Sequence, residues 1–432
     1  MSDGSGRQDV DKKASNRYLG VIVGLCFAIY FITNYPMYQL SPIADAFKST
    51  FGLDNTQYTS IFSAPMIPGV LLSIVAGLII DKIGPRRAVL FGMIITTVGM
   101  AARIGADSYW SFLVCMISLG IGATAMNVSG PKILVGWAKP EKLGSLVGVI
   151  YAGATFSMAV GMGTTAFFPS ISSAFIFATI LCVILTIAWI ILMKDGPAGN
   201  IRRGHGRKGH DGDSSSAAIE DIRPSADAAA ESVSIGQCLK EVVKSPAVWI
   251  IGICLFGVMG GNVGLSAYLP SALSNVRGFS ATDAGLISAF IMIGTLVGNI
   301  TGPFIDEKIG HTKAYLIVAS VLCAVLIASA WLLPEGPILM CALFITGFAL
   351  GSLTPVLIAL PVRSGCVEPR YVGTAQGVCS TLMTLGAIVI PTYIIAPIAG
   401  TDFTLMMTMA GASVLIATVA LVFLRFKGSA SS

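Results

Sequence analysis

Long uncharged runs recur along this chain, separated by short polar breaks. Twelve are read, at 18–40, 57–80, 86–105, 109–135, 144–168, 171–193, 247–271, 281–304, 313–333, 337–361, 373–398 and 402–424. Each is long enough, or nearly so, to cross a hydrocarbon layer about 30 Å thick as a helix. No water is available inside lipid, so every backbone amide needs a partner within the protein, and the runs are predicted to be helices. Residues 1–16 are polar and are expected to be disordered. Residues 195–245 break the pattern, with Arg202, Arg203, Arg207, Lys208 and the run Ser214-Ser215-Ser216. That stretch cannot bury a core and reads as a flexible linker; its end, 235–243, suits a short amphipathic helix lying on the membrane. The expected division is a tail (1–17), a six-helix bundle (18–194), the linker (195–245), a second six-helix bundle (246–425) and a closing tail (426–432).

Composition sharpens this picture. Of 432 residues 54% are hydrophobic and 11% charged, whereas a soluble domain carries about 25% charged residues. Lipid must cover the surface that charge does not. The net charge of +5 is spread over loops, with no basic patch, so no nucleic-acid partner is expected. Every Lys and Arg except Lys48, Arg103 and Arg277 falls on one side of the predicted helices. Positive loops stay in the cytoplasm, so both termini are placed there, in a multi-pass protein of the cell membrane. The nine cysteines lie mostly inside apolar runs without paired spacing and read as packing residues.

One charged hinge separates the second and third runs: Gly77-Leu78-Ile79-Ile80-Asp81-Lys82-Ile83-Gly84-Pro85-Arg86-Arg87. A second copy follows the eighth run, from Gly302 through Asp306 to Gly310, His311 and Thr312. Cys26, Asn34 and Pro42 share one offset with Cys254, Asn262 and Pro270, and Gly144 and Gly148 pair in the same way with Gly373 and Gly377. The chain is therefore read as an internal duplication, six helices plus six, related by an axis along the membrane normal, with a site near the midplane between the halves.

Twelve spans, a long central loop and the pattern GxxxD(K)xGxRR after the second span resemble the major facilitator superfamily over residues 18–425. The second copy departs from the pattern, with an extra residue before Gly310 and no basic pair. The segment Asn127-Val128-Ser129-Gly130-Pro131-Lys132, followed by Trp137-Ala138-Lys139-Pro140-Glu141-Lys142-Leu143-Gly144, resembles the oxalate/formate, nitrate/nitrite and cyanate permease branches. The fold implied is an all-α membrane protein of twelve transmembrane helices in two pseudo-symmetric six-helix bundles.

Three groups of residues are candidates for the work. Gly77, Asp81, Gly84, Arg86 and Arg87, with Asp306 and Gly310, form a candidate conformational latch, in which Asp81 pairs with a nearby cation in one state and releases it in the other; a plain topology anchor is the competing reading. Lys132 and Arg363 at span ends, and Arg103 at the far end of span three, are read either as a cationic vestibule for an anion or as interface anchors whose stems lie in lipid. For Arg103 the anchor is the first reading. Polar residues deeper in the spans are the substrate candidates: Asn34, Tyr38, Gln39, Asn127, Tyr151, Thr155, Asn262, Asn299 and Thr384. Such groups are costly in lipid and face a cavity or another helix. Pro36, Pro42, Pro65 and Pro68 can kink their helices, and Gly257, Gly260, Gly261 and Gly264 suggest that span seven bends as a gate.

No Asp, Glu or His falls in mid-span, and all three histidines lie in loops. A membrane-embedded proton relay is therefore not expected. No phosphate loop, zinc spacing or nucleophile elbow occurs, so no enzymatic reaction, cofactor or metal is expected. The expected function is secondary transport of a small organic solute, a carboxylate first, by alternating access. Facilitation, exchange or symport of a proton carried on the substrate are the expected modes, with the solute and the bilayer as partners and a monomer as the unit. An efflux transporter for hydrophobic compounds is the alternative, predicting a wide cavity lined by Phe and Met; a non-transporting sensor is the remote one.

Overall fold

The computed structural model describes residues 4–135, 137, 140–194, 242, 244–363 and 372–424. Among them, eleven helices are long and apolar enough to cross a membrane. The twelfth crossing, span two, is broken: Asn55–Ser63, a 3-10 turn at Ala64–Met66, then Ile67–Ile83. Pro65 and Pro68 sit in that break, where a missing amide hydrogen and a ring clash forbid regular α geometry. Span one is Gly4–Gln39, and spans three to six are Pro85–Ile104, Tyr109–Val135, Pro140–Thr164 and Ile171–Leu192. Spans seven to ten are Pro246–Arg277, Ala281–Ile309, Thr312–Ser329 and Pro337–Arg363. Span eleven runs from Val372–Val389 through a π-helical turn at Ile390–Ile395 to Ala396–Ala399, and span twelve is Phe403–Phe423.

One expectation needs correction. The first helix begins at Gly4, although 1–16 was expected to be disordered; residues 1–3 lie outside the described set. Once a long helix is nucleated, each further residue adds a hydrogen bond at little cost, so a polar tail can extend it. Span seven is one continuous helix, and its glycines are packed against neighbouring spans. A Cβ at Gly260 would lie 2.7 Å from Ile390 Cβ, and one at Gly261 would lie 2.7 Å from the Ala410 carbonyl oxygen. They permit close approach to spans eleven and twelve. The expected linker lies outside the described residues apart from Val242, Lys244 and Ser245.

The helices sort their faces by period. In span six Ile176, Ile180, Ile184, Ile187 and Ile191 are exposed, while Phe175, Ala178, Cys182, Thr186 and Trp189 are buried. Spacings of three and four place each set on one side of the helix, one toward lipid and one toward protein. Ends are capped locally. Asp54 and Gln57 form a reciprocal cap at the start of span two, and Ser170 and Ser173 do so for span six. Beyond span seven, Gly278 takes φ +75°, which lets Phe279 N–H reach back to Leu273 O at 3.3 Å. Lys313 Nζ donates to Val422 O and Leu424 O at the end of span twelve, and Arg277 donates to Trp331 O and Leu333 O beyond span nine.

The tightest seam joins spans eight and ten. Gly294, Gly298 and Gly302 recur every fourth residue on span eight, and a Cβ on any of them would meet Phe344, Phe348 or Ser352; Gly347 and Gly351 on span ten answer by abutting the backbone of Ile291 and Thr295. Hydrocarbon supplies no hydrophobic drive between helices, so backbone approach at small residues holds them together. Gly298→Val forces backbone atoms apart, and we expect a loss of roughly 1–3 kcal/mol or more, read as a fall in Tm in detergent. Gly24→Ala, with open space at its Cβ, is expected to be neutral or to stabilise by about 0.5–1 kcal/mol.

Candidate functional site

The face where span one starts is called here the terminal face, and the opposite one the distal face. At the distal face the two halves are bonded together. Ser41 donates to Ser266 O, Asn55 donates to Gly400 O, and Asn275 Nδ2 donates to Asp45 Oδ2 at 2.5 Å. Deeper in, Thr59 meets the Tyr268 hydroxyl at 2.8 Å and Ser63 meets Thr392 at 3.2 Å. Tyr58 reaches Ala267 O at 3.5 Å, and Tyr268 OH donates to Pro391 O at 2.9 Å. Both irregular turns lie in this seal: the 3-10 turn of span two follows Ser63, and Pro391 and Thr392 belong to the π-helical turn of span eleven. Spans five and eight close the same end, where Gly285 abuts the Met162 carbonyl and Gly163 approaches Ala289.

Toward the terminal face the halves part. A cavity of about 1060 Å³ lies between span five and spans eight, ten and eleven. Its polar lining is Tyr151, Thr155, Asn299, Thr354 and Gln376, and its apolar walls include Leu296, Ile300, Ile358 and Phe304. Ile300 and Phe304 are 58% and 68% exposed, so its mouth is open and greasy. No described residue that lines it is charged. A second hollow of about 720 Å³ caps the seal from the distal side, beside the Lys48–Asp45 ion pair of 2.9 Å.

Of the polar residues expected in a site, the cavity gathers Tyr151, Thr155 and Asn299. The others are placed elsewhere. Asn34 donates to Tyr30 O of its own helix at 2.9 Å, and Thr384 to Ser380 O at 2.9 Å. Tyr38 is buried edge-on against Phe62, and Gln39 is buried between Ala174 O and Arg103. Asn127 is exposed on span four and does not line the cavity. Asn262 lies one helical turn from Ser266, at the closed end; its Oδ1 is buried without a hydrogen-bond partner. Tyr30 and Tyr151 pack with ring centres 4.9 Å apart, tying the cavity wall to span one.

Sequence reasoning missed Gln376 and Thr354 as lining residues. Gln376 stands in the duplicated motif Gly-Thr-Ala-Gln-Gly, which was its one signal. Arg103 departs from the vestibule reading: it is 1% exposed, packed inside the first half. Lys132 is exposed at the end of span four, and the side chain of Arg363 lies outside the described residues. So does that of Asp81, at the heart of the candidate latch, as do the surroundings of Gly77. Around them Gly84 takes φ +86° ahead of Pro85, the first residue of span three, a turn that favours glycine. The Arg86 carbonyl accepts from Trp189 Nε1 at 3.1 Å, and Arg87 is exposed. In the second copy Asp306 is buried, and Gly310 caps span eight at φ +72° with its N–H on Asp306 O at 3.0 Å. Among the described residues no cluster suits a metal ion.

Comparison with known proteins places this geometry. Residues 22–391 match the family model of the Major Facilitator Superfamily. A probable nitrate/nitrite transporter of Mycobacterium tuberculosis, NarK2, is 25% identical over 362 residues, covering 80% of this chain and 81% of its own. A probable sulfoacetate transporter of Cupriavidus necator, SauU, is 21% identical over 382 residues, covering 86% and 85%. Among solved structures, a bacterial homologue of the human lysosomal transporter Spinster, inward-facing and unoccupied, aligns with TM-score 0.72 at 14% identity, covering 94% of this chain and 96% of that one.

The geometry predicts a reactivity pattern. Cysteine introduced at Thr155 or Asn299 is expected to react with a water-soluble maleimide, and cysteine at Tyr38 is expected to stay unlabelled. Equal labelling of the three, measured by mass shift against the parent protein, would contradict the placement of the cavity.

Proposed function

The chain belongs to the Major Facilitator Superfamily, and from that premise we propose that it carries a small organic anion, a monocarboxylate or monosulfonate first, across the cell membrane by alternating access. The terminal face is the cytoplasmic one, from the side on which Lys and Arg gather. The observation that carries the reading is a cavity of hydrogen-bond donors between two halves that are sealed at the other end.

The chemistry follows from the donor set. Tyr151, Thr155, Thr354, Asn299 and Gln376 offer neutral hydroxyls and amides. A hydrogen bond to a charged group contributes about 1.5–3 kcal/mol, so two or three can hold one carboxylate. A second uncompensated charge entering the same space would meet a desolvation penalty that dipoles alone cannot offset. The apolar walls suit an organic body on the anion. The nitrate/nitrite and sulfoacetate transport named for two relatives supports an anionic solute in general.

Proton coupling, where it occurs, rides on the solute, because no described lining residue is an Asp, Glu or His. The exposed Phe304 and Ile300 favour one second reading, export of hydrophobic compounds, although no described Met lines the cavity.

Counterflow in proteoliposomes separates the two. Monocarboxylates and monosulfonates are expected to exchange, and neutral amides and hydrophobic cations are not; exchange of hydrophobic cations alone would transfer the case to the second reading. Asn299→Ala is expected to raise the KM for the anion about tenfold or more, the loss of one charge-assisted hydrogen bond, with folding unaffected. An unchanged KM would remove Asn299 from the binding set.

A further inference from the structure

Arg103 is the one cation of the first half that is sealed inside it among the described residues. Its Nη1 donates to Pro36 O at 3.2 Å and its Nη2 to Gln39 Oε1 at 3.1 Å. The guanidinium lies 3.9 Å from the ring centre of Phe175, and its Nε has no hydrogen-bond partner. None of these partners is a carboxylate. Burying an uncompensated cation is expensive, so its surroundings must supply negative potential in another form.

The end of span one supplies it. The last turn tightens, with Leu40 N–H bonding to Met37 O at 3.2 Å, and the Pro36 carbonyl is left for Arg103. The last carbonyls of a helix carry partial negative charge, and a cation there is favoured, more so when partly buried. The ring face of Phe175 adds cation–π attraction. Gln39 completes the joint by donating to Ala174 O of span six at 3.1 Å.

What Arg103 holds is the base of the distal seal. The chain leaves Gln39, turns, and forms the short helix Ala44–Phe51. Ser41 in the turn and Asp45 on that helix are bonded to Ser266 and Asn275 of the second half. The same helix buries Phe47 against Phe112 and, 6.4 Å between centres, against Phe175. Arg103 thus grips both ends of the piece that carries the seal: the helix end before it, and the ring on which its buried face rests.

We propose that Arg103 is a positioning residue for the transport cycle, clamping the end of span one so that Ser41 and Asp45 meet the second half and the distal face closes. It touches no solute. The inference rests on the alternating-access reading above, but on no particular substrate.

The test reads closure without transport. Ala44→Cys places a thiol at a buried position of the seal, and an impermeant maleimide is added from the distal side of right-side-out membrane vesicles. With Arg103→Gln, labelling is expected to speed up about tenfold, the shift for one charge-assisted hydrogen bond, and the maximal transport rate to fall while KM holds. Arg103→Lys, which keeps the charge on a single donor nitrogen, is expected to recover part of both. If Arg103→Gln does not reach the membrane folded, Phe175→Leu keeps apolar volume while removing the ring between Arg103 and Phe47; it is expected to raise labelling by a smaller factor. Unchanged labelling in folded Arg103→Gln, or in Phe175→Leu where that stands in, overturns the clamp. Raised labelling in a protein that exchanges no anion leaves the clamp standing and removes the substrate reading.

Discussion

At the distal face span seven meets the turn and short helix after span one, and the start of span two, through hydroxyls, amides and carbonyls, with Asp45 supplying a carboxylate. This meeting determines the shape of the rest. Where it holds, the distal face is shut, and the halves must diverge toward the other face; the cavity between spans five, eight, ten and eleven is what the divergence leaves. A hydrogen bond between neutral groups is worth about 0.5–1.5 kcal/mol net, because water replaces it when it breaks. A handful of such bonds closes the distal face, and on the proposed alternating-access cycle it is also weak enough to release. A buried ion pair in the same place would leave charges stranded on each opening.

Each half, by contrast, is built not to yield. The glycines of spans eight and ten bring backbones into contact, and those of span seven do the same against spans eleven and twelve. Interiors packed in this way shift between discrete arrangements and resist continuous deformation. Irregular backbone is concentrated at the seal, in the broken turn of span two and the π-helical turn of span eleven. Rigid bundles with irregular turns where they touch are the mechanical requirement for halves that rock as bodies.

Much of this was legible in the chain. Uncharged length gave the crossings, because hydrocarbon permits few alternatives, and Pro65 and Pro68 marked the break in span two. The duplication gave the two-half plan. The cavity was legible only in part, and the reason is physical. A polar side chain in an apolar run announces that it needs a partner, but its sequence does not say which. Tyr151, Thr155 and Asn299 line the cavity, while Asn34 and Thr384 turn back to carbonyls of their own helices and Gln39 joins a packed interior. Equivalence under the duplication did not help: Asn34 and Asn262 correspond, yet one is satisfied within its helix and the other keeps a free oxygen. The π-helical turn left no mark beyond Pro391, since a single proline does not distinguish a π turn from a kink.

Arg103 shows how far a sequence argument can mislead when it assigns a cation by depth alone. At the end of a span, a guanidinium ordinarily reaches for water or headgroups. Here the Pro36 carbonyl at a neighbouring helix end lies 3.2 Å away, and it offers the same negative potential in fixed form. Arg277 and Lys313 do likewise on carbonyls at the ends of spans nine and twelve, half-buried near the surface. The three cations thus share one chemistry at different depths: each binds carbonyls at a helix terminus, where the last ones have no partner within the helix. Depth decides the consequence. A carbonyl capped at the surface can turn to water if its cation leaves, but Pro36 has no such recourse, and the helix end beneath the seal depends on the one group that reaches it.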